Sequence, residues 1–156
     1  MWLFALLALF SLGVSLVFSH LGRERAEKKS ANAEVFRNGK SVKIRVLYDS
    51  GNLVKEPISG KYVIFAKSEA IKSLLSDSEI SALNSGNSEV LLKNRFRIVT
   101  AHGIEGNSKT YFAFHPDKML AEEGKRRQEC DVYIALSEAE GIFGENEGIA
   151  NPAIIS

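Results

Sequence analysis

The residues Asp49, Ser50 and Gly51 form the stretch of sequence best suited to chemistry, because an acid follows directly on an apolar run. In an aspartic peptidase two carboxylates lie so close that they share a proton; one activates water and the other protonates the substrate carbonyl. Apolar residues before the acid keep the strand end rigid and poor in water. Ser50 offers a hydroxyl to nearby backbone, and Gly51 lets two backbones approach closely. The sequence therefore nominates Asp49 as a catalytic acid, supported by Ser50 and Gly51.

An ordinary turn is the alternative interpretation of this stretch, because Asp, Ser, Gly and Asn all favour turns. The chain contains a single Asp-Ser/Thr-Gly tripeptide, and one acid cannot form a dyad. Catalysis at Asp49 therefore requires a two-fold homodimer in which each subunit contributes its own Asp49 across the axis.

Composition and charge exclude several classes of protein. The 156 residues, 45% of them hydrophobic, suffice for one domain with a core. Twenty basic and 19 acidic residues leave a formal charge of +1, so no global field draws the protein to nucleic acid. Cys130 is the single cysteine, which excludes an intramolecular disulfide and indicates a reducing compartment such as the cytosol.

No other motif in the sequence predicts catalysis or a cofactor. There is no GxSxG turn, no P-loop and no evident histidine partner for Cys130. The histidines are scattered without zinc-site spacing: His20, His102 and His115. Four acidic residues lack EF-hand spacing and predict a solvated face: Glu138, Glu140, Glu145 and Glu147. We therefore expect neither a metal nor a cofactor.

The N-terminal segment differs in kind from the rest of the chain. Residues 1–22 contain no Asp, Glu, Lys or Arg, and a helix of this length rises about 30 Å, enough to cross a bilayer. The basic residues Arg23, Arg25, Lys28 and Lys29 follow directly and predict that this flank lies in the cytoplasm. An uncleaved signal sequence with an exported domain is the alternative. The sequence thus predicts a transmembrane helix over 1–22, a charged linker over 23–33 and a domain over 34–156.

The domain is predicted to be mainly β with short helices. Asn38-Gly39 predicts a tight hairpin turn, and the apolar residues from 42 to 46 alternate with polar ones as in a half-buried strand. The alternation ends at Leu47 and Tyr48, which predicts burial on both faces just before Asp49. Further strands are predicted at 62–65, 96–100, 110–114 and 130–136.

Helices and loops are predicted between these strands. Apolar spacing predicts a helix over 68–75, and Ser76 with Glu79 forms a capping box for a second helix through Leu83. Residues 84–88 predict a polar loop, and 124–129 a charged connection. The chain is expected to close as a short packed helix or tail at 152–155.

Three blocks of the domain resemble the SpoIIGA family, membrane-bound sporulation peptidases that process the precursor of sigma-E. The first is VLYDSGNLVKEPISGKYVIF, residues 46–65, which is similar to the family's active-site segment. The second is RIVTAHGIEGNSKTYFAFHPDKM, residues 97–119. The third, YIALSEAEGIFGENEGIANPAII, residues 133–155, resembles the family's closing strand, acidic loop and Asn/His-Pro tail. The matching order of three separated blocks is more specific than Asp-Ser-Gly alone.

The resemblance implies a retropepsin-like fold in which each chain supplies half of a β-barrel homodimer, with Asp49 as the catalytic acid. It further implies a membrane-anchored endopeptidase that removes the pro-segment of the sigma-E precursor on the mother-cell side, with a SpoIIR-like activating protein as a partner. This sequence departs from the family in showing one membrane span instead of several. It also carries Ala135 where a glycine is expected, which predicts altered packing close to Asp49.

Two other interpretations stay open at this point. One is a catalytically inactive, membrane-tethered β-domain that binds a protein partner. The other is an unrelated anchored β-domain in which Asp49 only makes a turn.

Overall fold

The computed structural model of the chain describes residues 30–102, 107–124, 126–139, 141 and 143–155. These residues form nine strands, which in chain order are β1 (Ser30–Arg37), β2 (Lys40–Tyr48), β3 (Val63–Lys67), β4 (Arg97–His102), β5 (Ser108–Phe114), β6 (Lys118–Glu123), β7 (Arg126–Glu129), β8 (Tyr133–Ser137) and β9 (Gly148–Ala150). They build one sheet in the order β4-β5-β8-β3-β9-β2-β1-β6-β7. The prediction of a mainly β domain with short helices is therefore confirmed.

The expected transmembrane helix over residues 1–22 and most of the linker lie outside the described residues. Within the part of the chain that the structure describes, no helix is long and apolar enough to span a membrane. The first strand begins at Ser30, four residues before the expected domain start at Glu34.

The β1–β2 hairpin confirms the turn predicted at Asn38-Gly39. The two residues have φ of 53° and 74°, and Arg37 pairs with Lys40, as a two-residue type I′ turn requires. At the other end of the same ladder Ser30 lies opposite Leu47. The chain therefore enters the sheet at the end where β2 leads into Asp49.

The end of β2 is buried on both faces, as the loss of alternation predicted. Val46, Leu47 and Tyr48 are all buried, and β9 covers the edge of this strand by pairing with it in parallel from Val46 to Tyr48. The other edge of β9 pairs antiparallel with β3. A Cβ added at Gly148 would lie 3.2 Å from the Phe65 carbonyl oxygen, so glycine lets β9 enter this narrow space.

Two clusters of buried apolar residues form the hydrophobic core around the sheet. The larger joins the helices to β1, β2, β6 and β8, and includes Ile44, Ile71, Leu91, Phe96 and Phe114. The smaller lies around β3, β8 and the hairpin of β4 and β5, and consists of Val63, Phe65, Val99, Ala113, Ala135 and Phe143.

The helices lie between β3 and β4 in the chain. They are α1 (Ser68–Ile71), a 3-10 turn (Lys72–Leu74), α2 (Asp77–Ser85) and α3 (Ser88–Lys93). The capping box of Ser76 and Glu79 is confirmed, and α2 ends at Gly86 in the left-handed conformation. A 3-10 helix over Pro152–Ile155 confirms the short closing helix.

Four elements were not predicted from the sequence. Helix α3 begins within the expected polar loop, where the Asn87 side chain accepts a hydrogen bond from the Val90 amide. Strands β6 and β7 form a hairpin that includes most of the expected charged connection. Strand β9 has only three residues, too few to show a period.

A buried ion pair fastens the helices to the sheet. The Arg37 guanidinium donates to both Glu79 carboxylate oxygens, at 3.0 and 2.6 Å, and to the Leu74 carbonyl at 3.2 Å. It also lies over the Phe96 and Phe114 rings, 5.2 and 4.6 Å from their centroids. Burial alone would raise the pKa of Glu79, but the hydrogen bonds and charge of Arg37, together with Ser76, lower it below its usual value.

We expect Arg37→Ala to lower the free energy of unfolding by about 3–5 kcal/mol, because it leaves the Glu79 carboxylate buried without its partner. Urea unfolding of the full chain measures this loss. The control is Lys93→Ala, which breaks an exposed pair with Glu89 and should change stability by about 0.5 kcal/mol or less. A similar effect of both variants would contradict the role given to Arg37.

We also expect acidification to destabilise the fold through Glu79. The pKa of Glu79 is lowered in the folded chain. The contribution of Glu79 to the free energy of unfolding is therefore complete above its ordinary pKa, and it is lost as the pH falls from there through the lowered pKa. Urea midpoints measured at neutral and acidic pH should therefore converge between wild type and Glu79→Gln as the pH falls. A gap between the two chains that stays constant with pH would contradict this assignment.

Candidate active site

Asp49 stands at the end of β2, at the point where the chain leaves the central part of the sheet. Its backbone amide donates to the Ala150 carbonyl at 2.8 Å, which extends the parallel contact with β9 by one residue. Its carbonyl accepts from the Asn52 amide at 3.0 Å. The side chain is half-buried, so the carboxylate is held by a rigid strand end and still reaches solvent.

Gly51 positions the Asp49 carboxylate through its backbone. The Gly51 amide donates to Asp49 Oδ1 at 2.9 Å. A Cβ added at Gly51 would lie 3.1 Å from that same oxygen. Within one chain, the close contact of a side chain at Gly51 would therefore be with the Asp49 carboxylate; the close approach of two backbones at Gly51 stays a prediction.

Ser50 contributes through its backbone. Its side chain is exposed, and the hydroxyl has no hydrogen-bond partner among the described residues. Its carbonyl oxygen lies 3.5 Å from the Asn151 Nδ2 donor. The hydroxyl contact predicted for Ser50 is therefore not made within the part of the chain that the structure describes.

Two buried asparagines hold the loop that carries Asp49. Asn52 donates from Nδ2 to the Val63 carbonyl at 3.0 Å and to the Ile149 carbonyl at 3.3 Å. Asn151 donates from Nδ2 to the Asn52 carbonyl at 2.9 Å. The loop is thereby fixed to β3, to β9 and to the start of the C-terminal helix.

The segment that follows the loop presents apolar side chains to solvent. Leu53 is 71% exposed and Ile58 81% exposed. Between them Glu56 is buried and accepts from the amide and hydroxyl of Ser59, both at 2.6 Å. Burial opposes ionisation of Glu56, but the Ser59 hydrogen bonds, the Ile58 amide and the Arg97 charge together lower its pKa. Glu56 therefore shapes this turn as an ionised group.

A polar cluster anchors the far end of the same turn. Lys61 Nζ lies 2.7 Å from Asp131 Oδ1, and His115 Nε2 lies 2.8 Å from that oxygen. The hydrogen bond from Lys61 and the one from His115 lower the pKa of Asp131. All three side chains are at least one-third exposed, so this cluster is a surface attachment of the turn.

The remaining candidates are placed without a catalytic arrangement. Cys130 is buried, and burial raises the pKa of its thiol, which keeps it protonated as a core residue. His102 Nδ1 lies 2.8 Å from the Ser108 hydroxyl across the hairpin of β4 and β5, an exposed cross-strand contact. Within the ranges that the structure covers, no three His, Cys, Asp or Glu side chains form a metal-binding group.

Comparison with known families matches residues 1–141 of the chain to a family model described as Sporulation factor SpoIIGA, Peptidase_U4. The chain belongs to the SpoIIGA family. The match covers the first two sequence blocks and residues 133–141 of the third, and it confirms the family resemblance. At the level of the family, the protein is a sporulation peptidase that processes sigma-E. Comparison with curated proteins finds no match, and comparison with solved structures finds none either.

The structure corrects the place of Ala135 in this SpoIIGA-family chain. Ala135 was expected close to Asp49, but it lies in β8, where it pairs with Phe65 on one side and Ala113 on the other. Strands β3 and β9 separate β8 from β2 in the sheet. The residue that contacts Asp49 is Ala150, which follows the apolar Ile149 in β9. The Ala150 carbonyl accepts a hydrogen bond from the Asp49 amide.

Asn52 and Asn151 are the residues of this SpoIIGA-family site that the sequence reasoning did not single out. Asn52 follows the turn-forming Gly51, and Asn151 precedes Pro152, which starts a helix. The local sequence therefore predicts a polar turn at Asn52 and a polar tail at Asn151. Their burial, at 9% and 6% exposed, is a tertiary property that no local pattern signals.

We expect Gly51→Ala to slow cleavage of the sigma-E precursor by about tenfold or more, because the new Cβ displaces the Asp49 carboxylate by a few tenths of an ångström. The stability of the chain should change little, since Gly51 is exposed. The matched control is Gly141→Ala, which meets nothing within 4 Å. Equal rates for the two variants would show that the carboxylate position is unimportant.

Proposed function

We propose that this SpoIIGA-family peptidase is a membrane-anchored aspartic endopeptidase that acts as a homodimer and removes the pro-segment of the sigma-E precursor. Asp49 is the catalytic acid. The observation that carries the proposal is the Asp49 carboxylate itself, half-buried at the end of a central strand and oriented by the Gly51 amide. An ordinary exposed turn has no need for a buried strand on one side and two buried asparagines beneath it.

The chemistry follows from this geometry once two copies face each other. Two carboxylates close together share one proton, since both cannot ionise at short range. The ionised Asp49 takes a proton from water, which attacks the peptide carbonyl, and the protonated Asp49 donates to the carbonyl oxygen. The Asp49 that took the proton from water then passes it to the amide nitrogen, and the other Asp49 takes a proton back from a hydroxyl of the tetrahedral diol. The carbon–nitrogen bond breaks, the neutral amine leaves, and the dyad again holds one proton. Ser50 and Gly51 support the acid from the loop.

The fold supports the retropepsin-like interpretation. The strand that leads to Asp49 pairs in parallel with β9, and β3 pairs in parallel with β8, so the two strands on either side of β9 each have a parallel neighbour. Each chain then supplies one half of a barrel dimer around a shared site. Exposed Leu53 beside the loop offers apolar surface to the second copy or to the bound peptide.

The proposed membrane location and topology of the enzyme rest on the sequence. Residues 1–22 supply the anchor, and the basic residues from Arg23 to Lys29 keep the peptidase domain on the cytoplasmic, mother-cell side. The substrate is the sigma-E precursor, and a SpoIIR-like protein is the activating partner. No nucleic acid, metal or cofactor takes part in the proposed reaction.

We expect Asp49→Asn to abolish cleavage of a co-expressed sigma-E precursor, because the amide can neither share the proton nor activate water. The product is measured by immunoblot against chain levels. The matched control is Asp77→Asn, which changes an acid of the first turn of α2 and should cleave at the wild-type rate. If Asp49→Asn cleaves as well as its control, the peptidase is not of the aspartic type.

We expect the Asp49→Asn chain to inhibit the wild-type chain when both are co-expressed. With random pairing at equal levels, about one-quarter of two-fold dimers carry two Asp49 carboxylates, so cleavage should fall about fourfold at a fixed total amount of chain. A rate that falls only in proportion to the wild-type chain, by about twofold, would show that each chain acts alone. A catalytically inactive binding domain would show no cleavage in either case.

A further inference from the structure

The side chain of Asn151 uses both ends of its amide. Its Nδ2 donates to the Asn52 carbonyl at 2.9 Å and lies 3.5 Å from the Ser50 carbonyl. Its Oδ1 accepts from the Ala153 amide at 2.8 Å, at the start of the C-terminal 3-10 helix. The residue is 6% exposed, so these contacts are made away from solvent and are costly to lose.

The two carbonyls that face Asn151, those of Ser50 and Asn52, belong to the loop that orients Asp49. A peptide group is planar, so the Ser50 carbonyl and the Gly51 amide turn together as one unit. That Gly51 amide is the group that donates to Asp49 Oδ1. In the same way the Asn52 carbonyl turns with the Leu53 amide, which donates to the Gly51 carbonyl at 3.0 Å.

The chemistry of the side chain is specific. An asparagine offers a donor to the loop and an acceptor to the helix on a short stem. An aspartate has the same shape but no donor when ionised, and it would bring a negative charge against two carbonyl oxygens. The fit of both amide ends therefore distinguishes Asn151 from a residue that only fills space.

We infer that Asn151 is a positioning residue of the active site, which sets the Asp49 carboxylate through the Ser50–Gly51 and Asn52–Leu53 peptide groups. This inference rests on the proposed function, in which Asp49 is the catalytic acid. It also makes residues 148–155 a working part of the site, although the family match ends at residue 141. Ala150 holds the Asp49 backbone from β9, and Asn151 holds the loop behind it.

The test compares Asn151→Asp with Asn87→Asp in the full chain held in detergent micelles. Asn87 caps α3 by accepting from the Val90 amide, a role that aspartate fills equally well. We expect Asn151→Asp to lower kcat for the sigma-E precursor by about tenfold or more. KM should stay within about twofold, because Asn151 is buried and offers no surface of its own to the substrate. Asn87→Asp should match wild type in both.

Hydrogen exchange gives a readout that does not depend on activity. We expect the Gly51 amide to exchange about tenfold faster in Asn151→Asp, while amides of the β1–β2 ladder keep their wild-type protection. Faster exchange throughout the chain, or an unchanged Gly51 amide, would overturn the positioning role. If Asp49→Asn remains active while the Gly51 amide still responds, the aspartic mechanism fails but the backbone link from Asn151 holds.

The wild-type chain provides a second measurement, which is decisive if Asn151→Asp does not fold. The side-chain amide protons of Asn151 should exchange at least about tenfold more slowly than those of exposed Asn94. Equal exchange of the two side chains would show that the Asn151 hydrogen bonds do not persist and would overturn the inference.

Discussion

The parallel pairing of β9 with β2 is the constraint on which the rest of the structure depends. This short strand comes about a hundred residues after β2 in the chain, yet it lies between β2 and β3 and pairs with both. Its presence covers the second edge of β2 and gives the Asp49 amide a carbonyl to bind. Without it, the acid would stand at the end of an ordinary edge strand with an exposed backbone.

The ion pair of Arg37 and Glu79 fixes the other side of the domain in a comparable way. Arg37 is the last residue of β1, and Glu79 lies in the first turn of α2, so one contact joins the hairpin to the helices. Glu79 also completes the capping box of that helix. Local helix formation and long-range packing are therefore coupled through a single carboxylate. Burial makes this coupling strong, since neither charge can be satisfied by water.

The features that the sequence predicted well are those with a local cause. Asn38 and Gly39 adopt the positive φ that their turn requires, and Ser76 with Glu79 caps α2 as its spacing indicates. The burial at the end of β2 also has a local signal, because Leu47 and Tyr48 interrupt the alternation just before the candidate acid. In each case the residues that interact are within a few positions of one another.

The features that were missed depend on distant partners. The family resemblance predicts Ala135 close to Asp49, but the sheet order places β9 and its Ala150 beside the strand that leads to Asp49. The role of Asn151 depends on its hydrogen bond to the Asn52 carbonyl, which lies 99 positions earlier in the chain. Strand β7, with the sequence RRQE, lies at the edge of the sheet, where no apolar alternation is needed.

The entry of the chain at Ser30 has a consequence for assembly. Ser30 lies opposite Leu47, so whatever holds the preceding residues also holds the end of the sheet that carries Asp49. Two chains held at one membrane surface through this end would share a small volume. The effective concentration of one domain near the other would then be about millimolar, so a weak contact would suffice for pairing. For the proposed homodimer, the contact between two domains can then be weak, and the surface density of chains would set how many are paired.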